Sequence, residues 1–136
     1  MDPIAERARE SLEAAGLDRF TFQNSSNFED HAVFVDDDVA LRFVSDRGEL
    51  FVDIASSRPP SRFFMLDDLD IAMGWRSLSD VVTKRRPEPL NLILARLAGS
   101  WPEIQELFAP QRLESTLDML SRAEAARGQA MEDRLR

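Results

Sequence analysis

Hydrophobic and polar residues alternate along residues 39–54, VALRFVSDRGELFVDI, as they do in two β-strands joined by a tight turn. Placing Arg42 opposite Asp53 pairs apolar residues on one face and a cation with an anion on the other. A shift by one residue would set the aspartate against a leucine. The pattern predicts an antiparallel hairpin closed through Arg47 and Gly48, as a two-residue loop or within a four-residue one. Gly48 would supply the positive φ that such turns need.

Two shorter strands are predicted before this hairpin, at residues 20–23 and 31–35, from their apolar and β-favouring residues. A polar cluster at residues 24–27 is predicted to turn the chain between them. The three aspartates at residues 36–38 are predicted to form the loop that leads into the hairpin.

Pairing Val35 with Val39 would sort the side chains of these strands onto two faces of one sheet. The predicted core face collects Val33, Val35, Val39, Leu41, Phe43, Val52 and Ile54. The opposite face collects Phe34, Ala40, Arg42, Val44, Phe51 and Asp53. This second face is too apolar to lie wholly in water and too polar for an ordinary core. Either a helix or a partner is therefore expected to cover part of it.

Apolar residues at helical spacing predict helices both before and after the sheet region along the chain. The first is expected at about residues 3–15, with Asp2 as its N-cap and Gly16 at its end. A proline-containing connector at residues 56–62 is expected to end the sheet region. Further helices are predicted at residues 67–73, 75–82, 90–98 and 101–108, and from about residue 111 to a frayed end.

Ser100 and Glu103 have the spacing of a capping box at the start of one of these helices. Trp75 and Trp101 are interpreted as packing residues that join the helices to the sheet. The order of elements predicts a single α+β domain over residues 1–136. It would contain an N-terminal helix, a small antiparallel sheet of about four strands, and a helical C-terminal half packed on the sheet.

The acidic charge is concentrated in the N-terminal half of the chain. The formal net charge is −8. Residues 1–57 carry 13 acidic and 5 basic side chains, whereas residues 58–136 carry 12 of each. Such a field repels nucleic acid and raises the association rate of basic partners. We therefore expect a basic protein partner and no nucleic acid, although simple solubility also explains the charge.

The chain has no cysteine, no apolar run long enough to span a membrane, and no signal-peptide pattern in its first residues. These features predict a cytoplasmic protein without disulfides, cysteine metal sites or membrane association. Its oligomeric state is left open between monomer and homodimer.

No residue pattern indicates an enzyme. His31, the only histidine, is interpreted as a strand-start residue because no hydroxyl motif lies near it. The aspartates within residues 36–38 and 67–70 lack the spacing of a calcium loop, and are interpreted as a hairpin loop and a helix start. Turn geometry explains the neighbours of Arg47 but not the arginine itself, which is a candidate to bind a carboxylate or phosphate. Neither a metal nor another cofactor is expected.

The order of these features resembles a loosely defined set of small, uncharacterised bacterial α+β proteins. The resemblance lies in the hairpin at residues 40–54, in Phe63, Phe64 and Trp75, and in residues 101–108. Some small acidic proteins of this kind are immunity proteins, which bind and block the toxin of a toxin system. The resemblance implies a binding protein and assigns no functional residue.

Our first functional hypothesis is a non-catalytic protein of the immunity or inhibitor type, which neutralises a protein partner such as a toxin through its acidic sheet half. The predicted contact residues are Phe34, Asp36, Asp37, Asp38, Arg42, Val44, Arg47, Phe51 and Asp53. The alternative is a small-molecule-binding or enzymatic domain with a pocket between sheet and helices, near Arg42, Phe63, Phe64 and Trp75. A third hypothesis is a homo-oligomer joined through the same sheet face or through the last helix.

Overall fold

The structure, a computed structural model, describes residues 2–26, 30–59 and 61–136. The described residues form an α+β fold, as predicted, with one antiparallel sheet of five strands instead of about four. The elements are α1 (Pro3–Ala14), β1 (Thr21–Ser26), β2 (His31–Asp36), β3 (Val39–Asp46), β4 (Glu49–Ser56), β5 (Phe64–Met65), α2 (Leu66–Met73), α3 (Leu78–Thr83), α4 (Leu90–Gly99), α5 (Trp101–Leu107) and α6 (Leu113–Arg134). Each strand pairs with the next one along the chain, in the order β1-β2-β3-β4-β5. None of the described helices is both long and apolar enough to cross a membrane.

The hairpin of β3 and β4 has the predicted register, with Arg42 opposite Asp53. Its loop consists of two residues, Arg47 and Gly48, whose φ angles are 54° and 83°. Two positive φ angles give such a loop the twist of the flanking strands, which is why it closes this register without a bulge.

The register between β2 and β3 differs by one residue from the prediction. Val39 lies opposite Asp36 and not opposite Val35. The loop is therefore Asp37-Asp38, with Asp37 in the left-handed region at φ 50°, and Asp36 is the last residue of β2. Two-residue loops with a positive φ fit the twist of a hairpin, so the three-residue loop that the sequence suggested is not formed.

This shift exchanges the two faces of β2. Phe34 is fully buried on the core face opposite Leu41. Val33 and Val35 belong to the other face, where they pack with Ala40. The predicted faces of Phe34, Val33 and Val35 are wrong because strand side chains alternate, so a slip by one residue moves every one of them.

The sheet is also larger than predicted at both of its edges. β1 continues through Asn24 to Ser26, where a turn was predicted, and an irregularity in its pairing falls between Phe22 and Asn24. Asn27, the last residue of that predicted turn, lies outside the described residues. The connector at residues 56–62 does not end the sheet, because β5 pairs with the middle of β4 after it.

The helices begin and end close to the predicted residues. Asp2 caps α1 through a hydrogen bond that its carboxylate accepts from the Ala5 amide at 3.0 Å, and Ser77 caps α3 in the same way. The predicted capping box at Ser100 is not formed, since within the described residues its side chain makes no capping hydrogen bond. The last helix, α6, starts at Leu113, close to the predicted residue 111, and continues to Arg134, whose guanidinium donates to the Val82 carbonyl of α3.

All of the larger helices contribute to one core on one face of the sheet. α1 and the C-terminal helices supply Leu12, Leu94, Leu97, Ile104 and Leu120, which meet Phe34, Leu41, Phe43, Ile54 and Phe64 of the sheet. Trp101 is buried in this core, as predicted, and Trp75 is partly buried against it.

A buried ion pair joins α2 to the long helix α6. Asp68 is fully buried, and its two carboxylate oxygens accept hydrogen bonds from Arg127 at 2.7 and 3.3 Å. Burial raises the pKa of the Asp68 carboxyl above its ordinary value, although the hydrogen bonds and charge of Arg127 oppose the rise. The pair therefore links α2 to α6, and among the described residues Arg127 is the only cation that bonds Asp68.

We predict that Arg127→Ala lowers the free energy of unfolding by about 3 kcal/mol, because it leaves the Asp68 carboxylate buried and unpaired. Urea denaturation measures this change. The control is Arg122→Ala on the same helix, which removes an exposed ion pair with Asp118 and should cost less than about 1 kcal/mol. Equal losses in the two variants would show that the buried pair does not hold α6.

Candidate functional site

No helix of the described residues packs on one face of the sheet, and we call it the open face. It includes Val33, Val35, Ala40, Arg42, Val44, Phe51, Asp53, Ala55, Phe63 and Met65, together with His31, which lies opposite Val44. Its small buried cluster is formed by residues of β2, β3, β4 and Phe63, and among the described residues no helical side chain belongs to it. The predicted second face therefore exists, with the residues of β2 exchanged, and the helices do not cover it.

An ion pair lies in the middle of the open face. Arg42 donates a hydrogen bond to Asp53 at 2.9 Å, and the two side chains are 35% and 21% exposed. The Arg42 guanidinium also stacks on Phe63, with its central carbon 4.4 Å from the ring centroid. Within the described residues, its Nε is buried without a hydrogen-bond partner. These contacts hold a polar group in a fixed position among apolar side chains.

Acidic residues lie at the two ends of the open face. Asp37 and Asp38 form the turn at one end, where Asp38 pairs with Arg58 at 3.0 Å. Asp46 and Glu49 lie at the other end and are exposed. The face therefore has an ion pair among apolar side chains in its middle and acidic residues at its ends. Of its apolar residues, Val33, Ala40 and Ala55 are buried, whereas Val35, Val44 and Phe51 are partly exposed.

The structure brings together four of the predicted contact residues. Arg42, Val44, Phe51 and Asp53 are neighbours on β3 and β4, and all four are partly exposed on the open face. Asp37, Asp38 and Arg47 lie in the turns at the ends of this face, as predicted. No hydrogen bond or ion pair of the exposed Arg47 side chain occurs among the described residues.

Two predicted contact residues lie elsewhere. Phe34 is in the core, as described above, and packs edge to face against Phe43 at 5.9 Å between ring centroids. Asp36 is not in the loop but on the core face, where it is 8% exposed. Its carboxylate accepts a hydrogen bond from the indole nitrogen of Trp101 at 3.2 Å. Both corrections follow from the shifted register of β2.

The buried Asp36 carboxylate lowers the stability of the folded protein when it is ionised. Burial raises its pKa above the ordinary value of 3.8, and the charge of Asp37 adds to the rise. The hydrogen bond from Trp101 acts in the opposite direction. Because the folded protein binds this proton more tightly, stability falls as the pH rises from the ordinary pKa through the raised one.

A cleft lies beside β4 at the border of the open face, and we call it the edge cleft. Its volume is about 210 Å³. Phe51 and Val52 of β4 form one wall, Met65 closes one end, and Ile93 of α4 lies in the helical wall. The sequence did not indicate this cleft. Arg42, Phe63, Phe64 and Trp75, around which a pocket was predicted, do not line it.

Charged side chains line the helical side of the edge cleft. Arg96 donates two hydrogen bonds to Glu88, at 2.7 and 2.9 Å, and one to Asp70 at 2.9 Å. Lys84 bonds both oxygens of Asp67, at 2.7 and 2.8 Å. Arg96 is the one charged side chain in the apolar sequence of α4. That isolated charge was the signal in the sequence that could have indicated a site.

The carboxylates of this network have different proton affinities. The hydrogen bonds from Arg96 lower the pKa of Glu88. Burial raises the pKa of Asp70, which is 1% exposed, in spite of the attraction of Arg96. Within the described residues, Oδ1 of the Asp70 side chain has no hydrogen-bond partner, and the Arg76 guanidinium, 3.7 Å from Oδ2, makes no hydrogen bond with the carboxylate. Asp70 is thus short of hydrogen-bond donors.

Among the described residues, no group of three or more acidic or histidine side chains is arranged to hold a metal ion. Comparison of the chain with protein-family models, with curated proteins and with solved structures found no match. The function is therefore inferred from the open face and the edge cleft themselves.

We predict that Arg47→Asn raises the free energy of unfolding by about 0.5–1 kcal/mol. A left-handed conformation is unfavourable for arginine and well tolerated by asparagine in a two-residue hairpin loop. Thermal or urea denaturation measures the gain, and Arg47→Lys, which keeps the charge and the backbone cost, should change nothing. A loss of stability in Arg47→Asn would mean that the arginine side chain stabilises the turn.

We predict that Asp36→Asn raises stability relative to the natural protein at pH 7 and gives no such gain near pH 3. The amide oxygen can still accept the hydrogen bond from Trp101, and the buried charge is gone. Urea denaturation across this pH range gives the difference between the two proteins. Glu10→Gln is the control, since Glu10 is exposed on α1, and should show little difference at any pH. A gain for Asp36→Asn that is the same at pH 3 and pH 7 would contradict the electrostatic explanation.

Proposed function

We propose that this protein is a non-catalytic binding protein of the immunity or inhibitor type, which neutralises a basic protein partner such as a toxin. The observation that carries this proposal is the open face, on which no described helix packs. Partly exposed apolar side chains surround its Arg42–Asp53 pair, and acidic residues lie at its ends. Contiguous apolar surface with a polar border is typical of protein interaction sites.

The apolar anchor of the interface would be the pair Val44 and Phe51, which lie opposite each other on β3 and β4. Both are partly exposed, so a partner would bury further apolar area there. A few such central residues commonly supply most of the binding energy of an interface.

The charges would act mainly on recognition. The net charge of −8 attracts a basic partner and speeds its association. The Arg42–Asp53 pair, held by Phe63, would offer the partner a polar group in a fixed place. A partner that matches it gains specificity, because one that does not would leave these charges buried and poorly paired.

The alternative function, binding or conversion of a small molecule, is supported by the edge cleft. Its volume of about 210 Å³ is below the roughly 300–1,000 Å³ of typical sites for drug-sized ligands. We therefore place a protein partner first.

The test is affinity capture from lysate of the cells that contain the protein, at low and at moderate salt. We expect the tagged natural protein to retain a basic protein, and less of it at higher salt. Val44→Asp should reduce retention at least about tenfold, since it removes a central apolar contact. Val44 does not line the edge cleft, so this variant tests the open face alone.

The control variant is Leu92→Asp, which changes an exposed apolar residue of α4 on the helical side. It should retain the partner fully. Equal loss in both variants, or no loss in Val44→Asp, would contradict binding through the open face. A capture that retains nothing at either salt concentration would favour the small-molecule alternative.

A further inference from the structure

The sheet is incomplete beside β4. β5 pairs with Asp53 and Ile54 and ends at Met65, where the chain turns into α2. None of the described strands pairs with residues 49–52 on that side. The edge cleft lies beside this unpaired half of β4, where a longer β5 would continue.

The register shows which backbone groups face the cleft. Hydrogen-bonded and non-bonded pairs alternate in an antiparallel hairpin, and the pair Asp46–Glu49, which flanks the two-residue loop, is a bonded one. The Ser57 amide donates to the Asp38 carbonyl across the same pair of strands, so odd-numbered residues of β4 bond to β3. The N–H and C=O groups of Leu50 and the N–H of Val52 therefore point toward the edge cleft, whereas the Val52 C=O is used beside the Asp53–Met65 pair, where it faces the Leu66 N–H.

The chemistry of the cleft favours a basic segment. Its lining contains four carboxylates, those of Asp53, Asp67, Asp70 and Glu88, and two cationic side chains, those of Lys84 and Arg96. Arg42 and Arg76 also lie within 4.0 Å of these carboxylates, so most of their charge is already paired. Asp70 Oδ1 lacks a hydrogen-bond donor among the described residues. Phe51, Met65 and Ile93 supply apolar surface between these groups.

We propose that the edge cleft binds an extended peptide segment of the partner, with alternating apolar and basic side chains, which continues the sheet in line with β5. This rests on the proposed function as a binding protein and adds where and how the partner is held. The segment would bond to the Leu50 backbone and the Val52 N–H. Alternate side chains would enter the cleft, as in other complexes where a peptide adds to a sheet edge.

A second copy of this chain is a poorer occupant. Each copy carries a net charge of −8, and pairing two β4 edges would bring two sets of cleft carboxylates together. A free small amine could bond Asp70 but would leave the Leu50 backbone groups and the Val52 N–H unpaired. A basic extended segment satisfies both requirements.

The test is a display library of random seven-residue peptides, selected on the whole protein. We expect enriched peptides to alternate apolar and basic residues, and to weaken as salt is raised. In the NMR spectrum of the labelled protein, the amide signals of Leu50 and Val52 should shift on titration with such a peptide.

Leu50→Pro removes one edge N–H without removing a bond to β3, and proline is tolerated at strand edges. It should weaken peptide binding about tenfold, whereas Leu50→Ala, which keeps the N–H, should weaken it less. Methylation of alternate backbone nitrogens in the peptide tests the same bonds and does not depend on the folding of a variant. It should abolish binding in one of the two alternating patterns.

An absence of enriched peptides, enrichment of acidic ones, or binding that is indifferent to both Leu50→Pro and peptide methylation would overturn this inference. So would NMR shifts confined to the open face or to the helices. A partner lost in Val44→Asp, together with no peptide bound at the cleft, would overturn the inference and leave the proposed function standing. Peptide binding at the cleft without any captured partner would support the inference and count against the proposed function.

Discussion

Strand register is the constraint on which the rest of this structure depends. Side chains alternate along a strand, so the two-residue turns at Asp37-Asp38 and Arg47-Gly48 decide which residues face the helices and which remain on the open face. The same registers place Asp36 under Trp101 and direct the Leu50 and Val52 amides toward the edge cleft. A protein with one register changed would have a different core and a different surface.

The sequence predicts the parts of this arrangement that local contacts determine. Arg42 and Asp53 are close along the chain, and their charges select the register of β3 and β4 without help from other elements. The two-residue turn that sets the register of β2 buries Asp36, and its carboxylate accepts a hydrogen bond from Trp101, 65 residues further along the chain. The sequence favours pairing Val35 with Val39, because that register leaves the Asp36 carboxylate in a solvent-exposed loop.

The edge cleft could not be predicted from the sequence, because it too is formed by residues that are far apart along the chain. Its lining comes from β4, β5, α2, α4 and the segment before α4. The sequence pattern within each of these elements does not show which of the others it lies beside. β5 itself has two residues, too few for an alternating pattern. The open face was predicted in outline, with four of its residues identified, since β3 and β4 alone define most of it. Because all larger helices pack on the other face, the open face and the edge cleft adjoin at Phe51 and Asp53, and one partner could contact both.

The most direct test of the account is amide hydrogen exchange of the protein alone and bound to its captured partner. In the free protein the amides of Leu50 and Val52 point to an unpaired edge and should exchange quickly. We expect them to be strongly protected in the complex, while the amides of α4 and α6 exchange at unchanged rates. Protection confined to the helices, with Leu50 and Val52 still exchanging quickly, would contradict binding at the open face and its β4 edge.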